Sequence, residues 1–152
     1  MDFYKPQIEA IKAIKKARDK FQPTPGFYAF DKEFLLYTID AFVAYRIPPQ
    51  HIVINPEMIW VNDESTTLKQ LFNPERHESM LKGDLKEIAV EKKAYATRVF
   101  IGEESGERVL INEKYVKAFE GCTYKRTPSK DFNPVYFYYG NEIAGLAMPI
   151  KE

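Results

Sequence analysis

The sequence is 152 residues long, 45% apolar and 14% aromatic, with eleven Phe and ten Tyr. That length suits one domain able to bury a core without disulfide or metal support, and the aromatic content favours sheet over a pure helix bundle. The 22 basic and 22 acidic residues cancel, which excludes a global charge pull toward nucleic acid or an anionic membrane.

A helix is expected from residue 3 or 4 to residue 18, capped by Asp2, with Pro6 in the first turn where no intrahelical N–H bond is lost. Tyr4, Ile8, Ile11, Ile14 and Ala17 recur at helical spacing and predict its buried stripe. Lys5, Lys12, Lys15, Lys16, Arg18 and Lys20 face only Glu9 and Asp19 over this stretch, a local surplus of four positive charges. They suit either a solvated face or a surface that meets anions.

The Pro23, Pro25 and Gly26 cluster stops the helix. Strands are expected at 27–30, 34–39 and 42–47, with turns at 31–32 and 40–41 and a stop at Pro48-Pro49. Further short strands are expected at 52–54 and 58–61. Residues 62–84 read as an irregular or helical excursion on the surface, and 57–91 carries eight acidic residues against four basic ones. Apolar alternation returns with Ile88 and Val90, a turn at Lys92-Lys93, then Tyr95, Thr97, Val99 and Ile101. A hairpin at 102–106, with Glu103, Glu104 and Glu107 in solvent, leads to a strand at 108–111.

Asn112 stands at a helix N-cap with Glu113 in the positive first turn. Tyr115, Val116 and Phe119 give that helix an apolar face, and Gly121 supplies a left-handed stop. A strand follows at 122–127, then a loop with Pro128 and Pro134, then a hairpin of strands 135–139 and 142–148 turning on Gly140-Asn141. Cys122, the single cysteine, reads as a buried inert thiol and suits a reducing compartment.

Both ends of the chain thus share one order of parts: helix, strand, and a hairpin whose last strand closes on a proline. An offset of 101 residues sets 34–48 over 135–149, Lys16-Ala17 over Lys117-Ala118, and Ile47-Pro48 over Met148-Pro149. With Asn112, Tyr115, Val116 and Phe119 on the second helix and Met148-Pro149-Ile150-Lys151 at the end, the chain resembles one domain of the bacterial DNA polymerase sliding clamp. The likeness is greatest to that clamp's C-terminal domain.

The resemblance implies a single α+β clamp-like domain over 1–152. Two helix-plus-β-meander halves would form a continuous antiparallel sheet with two helices on one face. It implies a DNA side made of Lys12, Lys15, Lys16, Arg18 and Lys20 on the first helix and Lys114 and Lys117 on the second. These would contact phosphates and would not read sequence. It also implies a peptide-binding wall of Met148, Pro149 and Ile150, against the plainer reading of a core Met and a strand-ending Pro.

Expected partners are duplex DNA, replication proteins or host factors, and further copies of the chain. A small stand-alone clamp-like domain suits a phage or mobile-element protein. No catalytic residue, cofactor or metal is expected, because His51 and His77 lack ligand-spaced neighbours and neither a phosphate-cradling glycine loop nor a G-x-S-x-G elbow occurs. Nothing at residues 1–7 reads as a targeting signal and no apolar run reaches membrane-spanning length, so a cytoplasmic protein is expected. Three classes stay open: a non-catalytic clamp-like accessory to DNA replication or repair, a protein-binding module or inhibitor that keeps the fold without encircling DNA, and, least favoured, an enzyme whose site the sequence does not display.

Overall fold

The structure, a computed structural model, describes residues 1–20, 26–30, 33–37, 42–55, 60–61, 72, 84–92, 96–103, 105–126 and 134–150. The expected turns at 31–32 and 40–41, Lys93 of the turn expected at 92–93 (Lys92 ends a strand), the excursion at 62–84 apart from Phe72 and Asp84, Glu104, Pro128 and Lys151 lie outside these residues. So do the side chains of Ile14, Lys16, Ala17, Arg18 and Lys20. The molecule is mixed helix and sheet, and its backbone divides into two compact units, Asp2–Leu71 and Phe72–Glu152 with Met1.

In the N-terminal unit, helix α1 (Lys5–Lys20) precedes strands β1 (Gly26–Phe30), β2 (Glu33–Tyr37) and β3 (Val43–Ile47). The strands form an antiparallel meander that pairs Phe27 with Leu36 and Leu36 with Tyr45, and the two-residue β4 (Trp60–Val61) joins β1 in parallel. Asp2 caps α1 as expected, its Oδ1 accepting from the backbone N–H of Tyr4 at 2.9 Å and of Lys5 at 3.0 Å.

The helix turns a different face inward from the one its apolar residues predict. Tyr4, Ile8 and Ile11 are 45%, 48% and 50% exposed, whereas Gln7 and Ala10 are 0% and 3% exposed. The buried face is rotated by one residue, about 100° around the axis. Gln7 gives the physical reason. Its Nε2 donates to the carbonyls of Phe3 and His51, each at 2.8 Å, and its Oε1 accepts from the N–H of Val53 at 2.8 Å and of Ile54 at 3.3 Å. All four hydrogen-bonding positions of the amide are used.

The same bonds overturn the strand expected at 52–54. The N–H groups that a sheet neighbour would take are held by Gln7, and the segment follows a 3₁₀ turn at Pro49–His51 as irregular chain. Phe42, expected inside the third strand, lies in a bend before β3 and is 48% exposed.

In the C-terminal unit the strands are β5 (Asp84–Lys92), β6 (Ala96–Gly102), β7 (Arg108–Asn112), β8 (Thr123–Lys125), β9 (Val135–Tyr139) and β10 (Glu142–Ala147). They pair antiparallel in the order β10-β9-β8-β5-β6-β7. The alternation at Ile88 and Val90 belongs to one nine-residue strand, longer than the sequence suggests, with a register shift between Glu87 and Ala89.

Asn112 is the N-cap of helix α2 (Glu113–Val116), accepting from the N–H of Lys114 at 3.1 Å. The helix tightens into a 3₁₀ turn at Lys117–Phe119, and Gly121, at φ 84°, ends it in the left-handed region as expected. Gly140 turns the last hairpin at φ 63°.

The turn of α2 drives Phe119 into the core, where it stacks on Phe137 with ring centroids 4.0 Å apart. Tyr124 stands edge-on to both Phe137 and Phe100, at 5.5 and 4.8 Å. Phe100, Phe119 and Phe137 are each fully buried, so this aromatic cluster is the centre of the unit.

Candidate functional site

Three surfaces carry the residues singled out by sequence, and a groove adds a fourth. On α1, Lys12 and Lys15 are exposed; Lys12 Nζ lies 3.4 Å from Glu9 Oε1, a surface pair worth a few tenths of a kcal/mol (about 0.3). Lys16, Arg18 and Lys20 continue the same helix. Beside the lysines lie the outward Tyr4, Ile8 and Ile11. Leaving each of these half in water forfeits about 1 kcal/mol that a buried position would return. Tyr4 is held in place: its hydroxyl meets His51 Nδ1 at 3.1 Å and its ring stands edge-on to the imidazole, which stacks on Phe3 at 4.5 Å.

On α2 and the 3₁₀ turn that extends it, Lys114 and Lys117 are exposed, and Lys114 Nζ sits 4.8 Å from the centroid of the Tyr115 ring. This fixes one cation against an aromatic face. The two lysine sets belong to different compact units.

The third set, Met148, Pro149 and Ile150, follows β10. Pro149 is buried, Met148 and Ile150 are half-buried, and the Ile150 N–H donates to the Leu110 carbonyl at 2.8 Å. That bond lays the segment along β7. It gives these residues a structural task, while Met148 and Ile150 keep part of their surface in solvent.

The groove, of about 780 Å³, lies in the C-terminal unit where β5 and β8 part company. The two strands pair at Asp84 and Leu85, and β5 then shifts register. Lys86, Cys122, Tyr124, Lys125 and Tyr138 are among its lining residues. Burial pushes the Tyr124 and Tyr138 phenols and the Cys122 thiol above their ordinary pKa values. All three are therefore protonated at neutral pH, and Cys122 is the buried, unreactive thiol expected from sequence. Lys125 Nζ lies 5.5 Å from the Tyr138 ring centroid. Such a lining can hold a ligand by contact and hydrogen bonding.

Sequence reasoning missed two ionic ties. Arg98 on β6 bonds Glu87 of β5 at 3.0 Å and Glu113 of α2 at 3.3 Å, fastening the helix to the sheet. Burial lowers the Arg98 pKa, but the two carboxylates outweigh it and the net shift is upward. Glu107, expected in solvent, bonds the buried Arg126 at 2.6 Å. An acidic residue just past a hairpin with an arginine 19 positions on carries no periodic signal, so neither tie was legible.

Among the described residues, no group of three or more His, Cys, Asp or Glu is placed to hold a metal ion, and no helix is long and apolar enough to cross a membrane. Comparison with family models, with curated proteins and with solved structures found no match.

Proposed function

We propose that the protein is a non-catalytic, sliding-clamp-like accessory to DNA replication or repair that acts through its surfaces. The observation that carries this reading is a repeated order of parts. α1 is followed by the antiparallel meander β1-β2-β3, and α2 by the antiparallel meander β8-β9-β10. An offset of 101 residues brings the bounds of β2 and β3 within two residues of those of β9 and β10. The finer architecture belongs to the same proposal: one continuous antiparallel sheet backed by both helices on one face.

On this reading the exposed Lys12, Lys15, Lys114 and Lys117 contact duplex phosphates, and Met148 and Ile150 wall a peptide groove. One such domain cannot encircle DNA, so the chain would assemble with further copies or dock onto other domains. Filter binding to duplex DNA from 50 to 300 mM salt, beside native mass measurement, tests it. Four phosphate contacts give a log–log salt slope of about −3 to −4. A monomer that ignores DNA at low salt removes the encircling role.

A second reading is favoured by Tyr4, Ile8 and Ile11, which stand outward at the N-terminal end of α1, with the exposed Lys12 and Lys15 next along the helix. Phosphates have no use for apolar side chains. Here the protein is a protein-binding module, such as an inhibitor or decoy of a host replication factor, and α1 is its contact surface.

A further inference from the structure

We infer that the outward face of α1 is a docking site for an acidic amphipathic segment of another protein, a proposal that rests on the protein-binding reading and adds the site and the partner's chemistry. Tyr4, Ile8 and Ile11 follow one another at helical spacing over about 10 Å, two turns of helix. A partner helix with apolar residues at matching intervals would cover them. Tyr4 is an anchor fixed in advance, because Asp2 accepts from its N–H and its hydroxyl and His51 Nδ1 share a hydrogen bond at 3.1 Å. Binding therefore costs little ordering of that side chain.

The flanks set the charge of the partner. Lys12 and Lys15 are exposed one and four residues beyond Ile11 along the helix, and Glu9, the acidic residue after Ile8, is already drawn to Lys12 at 3.4 Å. Carboxylates bordering an apolar strip complement this pattern. A second copy would set lysine against lysine across the contact. Duplex DNA would satisfy the lysines and leave Ile8 and Ile11 against a hydrated backbone. An anionic membrane needs a broader apolar face than three side chains, and the face of α1 next to the stripe is taken up by Gln7 and Ala10.

The test is selection of a phage-displayed library of random 16-residue peptides on the intact chain. Enriched peptides are then synthesised and titrated by fluorescence anisotropy against wild type, Ile8→Glu and Lys12→Glu/Lys15→Glu. These variants change exposed residues, and far-UV circular dichroism checks that they stay folded. The expected result is enrichment of peptides with carboxylates around apolar residues at helical spacing. Ile8→Glu should weaken binding at least tenfold, the double lysine variant likewise, and raised salt should weaken it further.

Peptides that are basic, or that bind all three proteins equally, overturn the α1 site while leaving a protein-binding role elsewhere on the surface. Failure to enrich any peptide overturns both. Tighter binding to duplex DNA or to phosphatidylserine vesicles than to the selected peptides, lost on Ile8→Glu, assigns the face to those ligands and overturns the proposal.

Discussion

Gln7 decides more of the N-terminal unit than any apolar residue near it. A glutamine between Pro6 and two isoleucines looks like a solvent-facing position, and nothing in spacing marks it as buried. Its four hydrogen bonds are what make burial tolerable, since an unsatisfied amide inside the core would cost a few kcal/mol. Gln7→Leu keeps the volume and strips the bonds, stranding the N–H groups of Val53 and Ile54. Urea unfolding should show a loss of about 2–4 kcal/mol, and a loss under 1 kcal/mol would mean that water or a shifted backbone replaces the amide. Single residues with local signatures were legible by contrast. Asp2, Asn112 and Gly121 each act within four residues of themselves, and each does what its type and position predict.

At the scale of elements, strands came through well because period-two alternation and turn residues are local signals. The hairpin β9–β10 and the strand β7 lie within one residue of expectation. Helix faces came through less well. For α1 the stripe with the larger side chains is the outward one, because tertiary bonding through Gln7 outweighs the gain from burying two isoleucines. For α2 a seven-residue run of α and 3₁₀ turns is too short to be stable by propensity, so its cap and the Arg98–Glu113 bond matter. Asn112→Ala should therefore cost about 1 kcal/mol in thermal or urea unfolding. Because α2 places Phe119 on Phe137, the near-UV circular dichroism of the folded variant should change as well.

At the scale of the whole molecule, the repeated helix-and-meander order was legible, and the candidate surfaces were legible in part. The lysines were found by their clustering. The exposed apolar stripe was read as core, since sequence periodicity reveals that a face exists and not which way it turns. The groove was not anticipated, because it arises where two strands distant in sequence diverge.

Its residues also set how the protein meets high pH. Tyr124, Tyr138 and Cys122 have folded-state pKa values raised above their unfolded values by burial. The neutral forms are favoured in the fold, so their contribution is complete below the ordinary thiol and phenol values. It is lost as pH rises through the raised ones. Stability should hold from about pH 7 to pH 8 and decline above about pH 9 to 10. Tyr138→Phe, which removes one of the ionising groups, should flatten that decline in urea midpoints measured across pH 8 to 11, and an identical decline would show that Tyr138 ionisation does not govern it.

The four-bonded amide also limits which side chains position 7 can tolerate. Glutamate keeps the reach and offers no N–H to Phe3 and His51, asparagine is one methylene too short to span both sides, and methionine matches the shape with nothing to donate or accept. Any diversity of sequence at this point of the chain must therefore come with a rebuilt approach of helix to loop. A buried site that reads as one more polar letter is thus among the least exchangeable in the protein.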